Sequence, residues 1–276
     1  MNRRRLLLPA LGASIAVLAV AGWASGAAPA WNHDPASAIG PAHWGTVAPG
    51  FEQCQLGSSQ SPVNISGTVR RGGPSLQFRY PDNELVVENT GHTIEVSIPA
   101  DNGNTLSIGN SVYRLVQYHF HAPSEHTLNG KVYDLEVHLV HQNAAGQIAV
   151  VGVFMNIGSH PSELVDEVFH NAPEVAGEET DTGLESNAKD LLPGFTSGRG
   201  NGTFVVTRFY SYSGSLTTPP CSEGVRWFVL ADPVNVTGFS VSQLHHLVSL
   251  FPGYGGYSNN NRPVQPLNGR VISSRP

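Results

Sequence analysis

The chain has 276 residues and a formal net charge of −6 at pH 7, and only 13% of it is Asp, Glu, Lys or Arg. That balance, with no basic cluster beyond the N-terminus, argues against nucleic acid as a partner. Low charge together with 30 Gly and 20 Pro indicates one large, turn-rich, predominantly β domain rather than a helical bundle.

In chain order, Arg3, Arg4 and Arg5 precede an apolar run from Leu6 to Val20, and small residues follow around Ala24 to Ala30. This is the pattern of an export signal. The run is shorter than the roughly 20 apolar residues that span a bilayer. Residues 1–30 are therefore expected to be removed, leaving residues 31–276 as a periplasmic or extracellular domain with no stable membrane span. The Arg pair also suits the twin-arginine route. In an oxidising compartment Cys54 and Cys221 are expected to form a disulfide. Closing so long a loop is worth about 4–5 kcal/mol in the chain-entropy model.

Residues 31–60, with Trp31, Trp44 and several Gly and Pro, read as an irregular arm around the body. Alternating β-branched and aromatic residues predict strands at Glu84 to Asn89, His92 to Ile98, Tyr113 to His121, Leu135 to His141 and Ile148 to Asn156. Pro161 to His170 and Ser240 to Leu250 have helical spacing. Residues 172–203 read as a surface excursion with a short helix near Ala188. Phe204 to Tyr210 and Val225 to Leu230 are strands again.

The chemistry concentrates in Gln117-Tyr118-His119-Phe120-His121 and in Glu136-Val137-His138-Leu139-Val140-His141. Residues two apart on a strand share a face, so His119 and His121 project together with Gln117. Asn129-Gly130 between the segments lets the two strands pair antiparallel and bring a third imidazole opposite. His138 shares a face with Glu136, a carboxylate suited to orient it, whereas His141 faces the other way. Three neutral imidazoles converging on a point are the ligand set of an open catalytic zinc site.

Gln60-Ser61-Pro62-Val63-Asn64-Ile65, Asn89-Thr90-Gly91-His92, the two histidine segments, Ser124-Glu125-His126-Thr127, Gly214-Ser215-Leu216-Thr217-Thr218-Pro219-Pro220-Cys221 and Asn261-Arg262-Pro263-Val264-Gln265-Pro266-Leu267 together resemble the alpha-class carbonic anhydrases in their bacterial form. The resemblance runs from about Trp44 to Arg270. It implies a single domain around a large, twisted, mostly antiparallel sheet with peripheral short helices. It also implies reversible hydration of carbon dioxide to bicarbonate and a proton, by attack of zinc-bound hydroxide with a histidine proton shuttle.

By the same resemblance His119, His121 and His138 hold Zn2+, Gln117 and Glu136 orient them, and His92 is the shuttle, its ordinary pKa of about 6.5 suiting that work. Thr217 orients the nucleophile and passes a hydrogen bond to Glu125, while Thr217 and Thr218 contact bicarbonate. Val140, Val150, Leu216, Val225 and Trp227 wall an apolar carbon dioxide pocket. A homodimer is compatible with this reading. Three departures from the family pattern bear on proton transfer, the least consequential being Thr90 beside His92, where an amide is common. Trp44-Gly45-Thr46 has threonine where most relatives carry a tyrosine that orders the water chain, and Glu95 near His92 is expected to raise the imidazole pKa. A binding module that has lost its zinc ligands would lack one of these histidines or Thr217. A zinc peptidase would show a His-Glu-x-x-His helix, which the sequence lacks.

Overall fold

Alternation along the strands decides which side chains are buried. In Asn83–Asn89 every odd position is buried and every even one is open to some degree. The central strands Leu135–Gln142 and Ile148–Ile157 are instead buried along almost their whole length, the pattern of strands covered on both faces. The computed structural model describes residues 30–67, 69–194, 202–206 and 208–275; the expected export signal lies outside them but for Ala30.

Among the described residues, fourteen strands form one sheet. Its main path runs from Glu179–Ser186 through Asn83–Asn89, Ile94–Ser97, Ser111–His121, Leu135–Gln142 and Ile148–Ile157, then to Glu223–Leu230, Phe209–Ser215, Ser273–Arg275 and Arg70–Arg71. Most neighbours are antiparallel. Ile148–Ile157 runs parallel to Glu223–Leu230 and Val234–Val236, and Ser273–Arg275 runs parallel to Arg70–Arg71. Asn64–Ile65 and Thr127–Leu128 make a separate parallel pair.

One apolar cluster joins Phe78, Leu115, Tyr118, Phe120, Leu139 and Val151 to the helices Glu163–Asn171 and Gly238–Ser249, which contribute Val165, Phe169, Leu244 and Leu247. Ser162 and Thr237 cap these helices through Val165 N–H and Ser240 N–H, satisfying donors that the first turn leaves free. A second cluster gathers Val63, Val140, Val150, Tyr212, Val225 and Trp227. No helix among the described residues is long and apolar enough to cross a membrane.

Two expectations need correction. Within 172–203, Glu179–Ser186 is a strand paired antiparallel with Asn83–Asn89 at the sheet edge, interrupted by a bulge between Asp181 and Glu185. It is mostly exposed, so its polar sequence carries no strand-like alternation, as befits an edge. Phe204 to Tyr210 is not one strand. Thr203–Val206 pairs with Leu76–Arg79, and Phe209–Ser215 pairs with Glu223–Leu230. The arm is irregular apart from two single-turn helices, Trp44–Val47 and Gln53–Leu56.

Candidate metal centre

The strand Ser111–His121 changes phase at Val116. Leu115 faces His141 and Gln117 faces Val140, so Val116 is the extra residue of a β-bulge. Before the bulge Tyr113 and Leu115 enter the main core; after it Tyr118 and Phe120 do. Gln117, His119 and His121 are thereby turned to the opposite side. His119 sits directly across from His138 on one neighbouring strand and from Glu95 on the other.

The three imidazoles meet. Ring centroids are 5.0 Å apart for His119 and His121, 5.3 Å for His119 and His138, and 4.5 Å for His121 and His138. One nitrogen from each lies within 4.8 Å of the others. The remaining nitrogens are engaged: His119 Nδ1 with Gln117 Oε1 at 2.7 Å, His121 Nδ1 with the Asn260 carbonyl at 2.9 Å, and His138 Nε2 with Glu136 Oε1 at 3.0 Å. That leaves His119 Nε2, His121 Nε2 and His138 Nδ1 for a ligand. His121 Nε2 is buried with no partner.

Burial holds the His119 and His121 pKa values below the ordinary imidazole value, with the neighbouring imidazoles adding to the effect. Both rings are therefore neutral, as a metal ligand must be. Burial alone would push Glu136 up, but the His126 and His138 rings hold its carboxyl well below the usual range. Gly152 makes room for it, since a Cβ there would lie 2.7 Å from Glu136 Oε1. His126, Glu136 and His138 form a second cluster of donors. Its atoms are already used, with His126 Nδ1 on Glu136 at 2.7 Å and Nε2 on the Tyr212 hydroxyl at 2.7 Å. His141 lies on the other face, its Nε2 2.6 Å from the Tyr80 hydroxyl.

Val140, Val150 and Trp227 occupy one row across three strands, with Val140 opposite Val150 and Val150 opposite Trp227. Val225 belongs to the same cluster, and Leu216 packs against it. Trp227 lies edge-on to His138 at 4.8 Å, so this apolar wall adjoins the imidazoles. Thr217 is buried, and Thr218 accepts from Cys221 N–H at 2.8 Å in the turn that follows. The Cys54–Cys221 disulfide is present, with its Cα atoms 4.9 Å apart.

Arg262 braces the same region. Its guanidinium donates to Gln60 Oε1 and to the carbonyls of Ser61 and Cys54, and its backbone N–H donates to Glu125 Oε1 at 2.7 Å. Glu125 Oε2 is buried with no hydrogen-bond partner, so Thr217 and Glu125 are not bonded to each other.

Near His92 the structure departs from expectation. Thr46 is exposed and donates to the His43 carbonyl. Glu95 Oε2 accepts from Gln117 Nε2 at 2.7 Å, which attaches it to the His119 side rather than to His92. Burial pushes the Glu95 carboxyl up to about 7, with Glu88 contributing. His92 is not raised; burial pushes it down to about 4. Its ring stacks on Trp31 at 3.7 Å and 7°. It follows Gly91, a position that favours glycine through its φ of +79° and because a Cβ there would lie 3.2 Å from the Ala176 Cβ. Sequence reasoning gave Arg262 no role beyond its place in the C-terminal segment, and missed Asn260, His33 and Tyr254. These lie far along the chain from the residues they touch.

A family model described as eukaryotic-type carbonic anhydrase matches residues 39–276. The chain is 37% identical over 232 residues to a carbonic anhydrase of Klebsiella pneumoniae, covering 84% of this chain and 86% of that one. It is 36% identical over 260 residues to a carbonic anhydrase of Neisseria gonorrhoeae, covering 93% and 94%. Among solved structures, the alpha-carbonic anhydrase of Thermovibrio ammonificans in complex with sulfanilamide superposes with a TM-score of 0.78 at 35% identity, covering 90% of this chain and 100% of that one.

Proposed function

The chain belongs to the alpha-type carbonic anhydrase family and is an enzyme of reversible carbon dioxide hydration, and from that premise we propose how its own residues carry the reaction. His119 Nε2, His121 Nε2 and His138 Nδ1 hold a zinc ion, with Gln117, the Asn260 carbonyl and Glu136 fixing the three rings. The observation that carries this assignment is His121 Nε2, a buried imidazole nitrogen with no partner in the protein. Zinc in such a set acts as a Lewis acid that brings the ionisation of bound water to about pH 7, the value known for carbonic anhydrases.

Carbon dioxide offers little to hydrogen-bond, so a dry apolar wall suits it. Val140, Val150, Leu216, Val225 and Trp227 supply that wall. The Thr217 hydroxyl orients the attacking water and, in the state that does so, turns to Glu125 Oε2, which has no other partner, a positioning effect. The Thr217 backbone N–H and Thr218 contact the bicarbonate formed. His92 takes the released proton toward bulk water. The partners are carbon dioxide, bicarbonate and water, and the Cys54–Cys221 disulfide suits an oxidising compartment outside the cytoplasm.

Stopped-flow carbon dioxide hydration, measured with the metal content of the same sample, tests the zinc reading. One zinc per chain and hydration abolished by a chelator are expected. Full hydration by protein shown to be free of zinc would refute the assignment. N-terminal sequencing of the exported protein tests removal of residues 1–30.

A further inference from the structure

Two segments far apart in the chain build a seat for His92. Trp31 and His33 come from the N-terminal arm, and Tyr254 from the turn after the helix Gly238–Ser249. Trp31 stacks flat on the His92 ring and meets His33 edge-on at 5.3 Å. His33 Nδ1 lies 2.6 Å from the Tyr254 hydroxyl, and His92 Nδ1 lies 3.4 Å from the same oxygen. His33 and Tyr254 are both buried, and His33 Nε2 has no partner. Asn260 Nδ2 completes the seat by donating to the His92 carbonyl.

Tyr254 has one proton to give and two imidazoles to satisfy. Burial holds His33 well below the ordinary imidazole pKa, with His121, His92 and Arg262 adding to it, so the ring is neutral and carries one N–H. A proton on Nε2 would bury an unpaired donor, and the Tyr254 proton would have to serve His33. A proton on Nδ1 leaves only a lone pair unpaired. Orphaned buried N–H groups are the rarer and costlier case. His33 Nδ1–H therefore donates to the Tyr254 oxygen, and the Tyr254 proton is left for His92 Nδ1.

We propose that His33, acting through the Tyr254 hydroxyl, selects the tautomer of the seated His92, with its proton on Nε2 and its Nδ1 lone pair taken by Tyr254. His33 and Tyr254 are positioning residues for this ring. The consequence rests on the reading of His92 as shuttle. In the seat the imidazole has no free lone pair for a proton from the cleft, and it gains one only when the Tyr254 hydroxyl turns away or the ring leaves Trp31.

Long-range 1H–15N NMR of the zinc-loaded exported domain with 15N-labelled histidine reads the tautomer directly, the His92 signals being assigned by their loss in His92→Gln. At pH 8, His92 Nδ1 is expected at the unprotonated position and Nε2 at the protonated one. In His33→Phe and Tyr254→Phe the two resonances should shift toward each other as the tautomers mix. His33→Asn, which returns an N–H near the Nδ1 position, should restore their separation. A wild-type His92 protonated on Nδ1 overturns the proposal without any variant, and so does a His33→Phe spectrum identical to wild type. The shuttle reading is tested separately, by rescue of His92→Ala hydration with added imidazole. If rescue fails while the spectra behave as expected, the shuttle reading falls and the tautomer assignment stands.

Discussion

Glu136 and His138 are joined by a 3.0 Å hydrogen bond from imidazole Nε2 to Oε1, and the same carboxylate holds His126 through its ring at 2.7 Å and its backbone N–H at 2.8 Å. One buried charge thus orients the His138 ring and ties down the segment carrying Glu125. Glu136→Gln keeps the shape and loses the charge, so zinc affinity should fall about 10–100-fold, measured by chelator competition. The Glu136 pKa is depressed in the folded state. Its stabilisation is therefore full above the unfolded carboxyl value of about 4.3 and is lost as pH falls through the lower folded value. In thermal melts of metal-free protein, the gap between wild type and variant should narrow in acid.

His138 and His141 are three residues apart and should respond oppositely. His138→Ala removes a donor and should abolish stoichiometric zinc. His141→Phe should keep one zinc per chain while leaving the Tyr80 hydroxyl unpaired, at a cost of about 1–3 kcal/mol. Metal analysis with denaturant unfolding separates the two; loss of zinc in His141→Phe would contradict the ligand assignment.

Reduction of Cys54–Cys221 should destabilise the domain by about 4–5 kcal/mol. It should also lower turnover, because Cys221 closes the turn carrying Thr217 and Thr218, and its carbonyl accepts from Gln60. Unfolding curves and hydration rates of the Cys54→Ser, Cys221→Ser double variant measure both effects. Stability lost with turnover intact would show that the Thr217 turn holds its shape unaided.

Glu95 has the opposite sign to Glu136. Its folded pKa of about 7 lies above the ordinary carboxyl value, so the charged form is disfavoured in the fold. Its destabilising effect sets in as pH rises above the unfolded value and is complete above about 7. Glu95→Gln should add on the order of 3–4 kcal/mol at pH 8 and almost nothing at pH 4. Equal gains at both pH values would rule out ionisation as the cause.

What could be read in advance follows from how local each signal is. The facing of His119 and His121 needs only a two-residue period, and the separation of His138 from His141 only the parity of three. The helices at Glu163–Asn171 and Gly238–Ser249 declare themselves by apolar spacing. The edge strand Glu179–Ser186 buries too little to alternate, and so passes for a loop. Asn260 reaches His121 through its backbone carbonyl, which no side-chain pattern encodes. The His33–Tyr254 pair spans nearly the whole domain, and no local pattern joins its two halves.

The bulge at Val116 gives the centre a tolerance to changes in chain length. The strand counts from the core in its first half and from the cleft in its second, and Val116 absorbs the odd residue. A chain lacking Val116 would bring both halves into step and still point its imidazoles at the cleft. A residue added beside Val116 would do the same, because two residues between Leu115 and Gln117 restore the alternation. A change of one residue at this point therefore removes the bulge and leaves the facing of the imidazoles as it is.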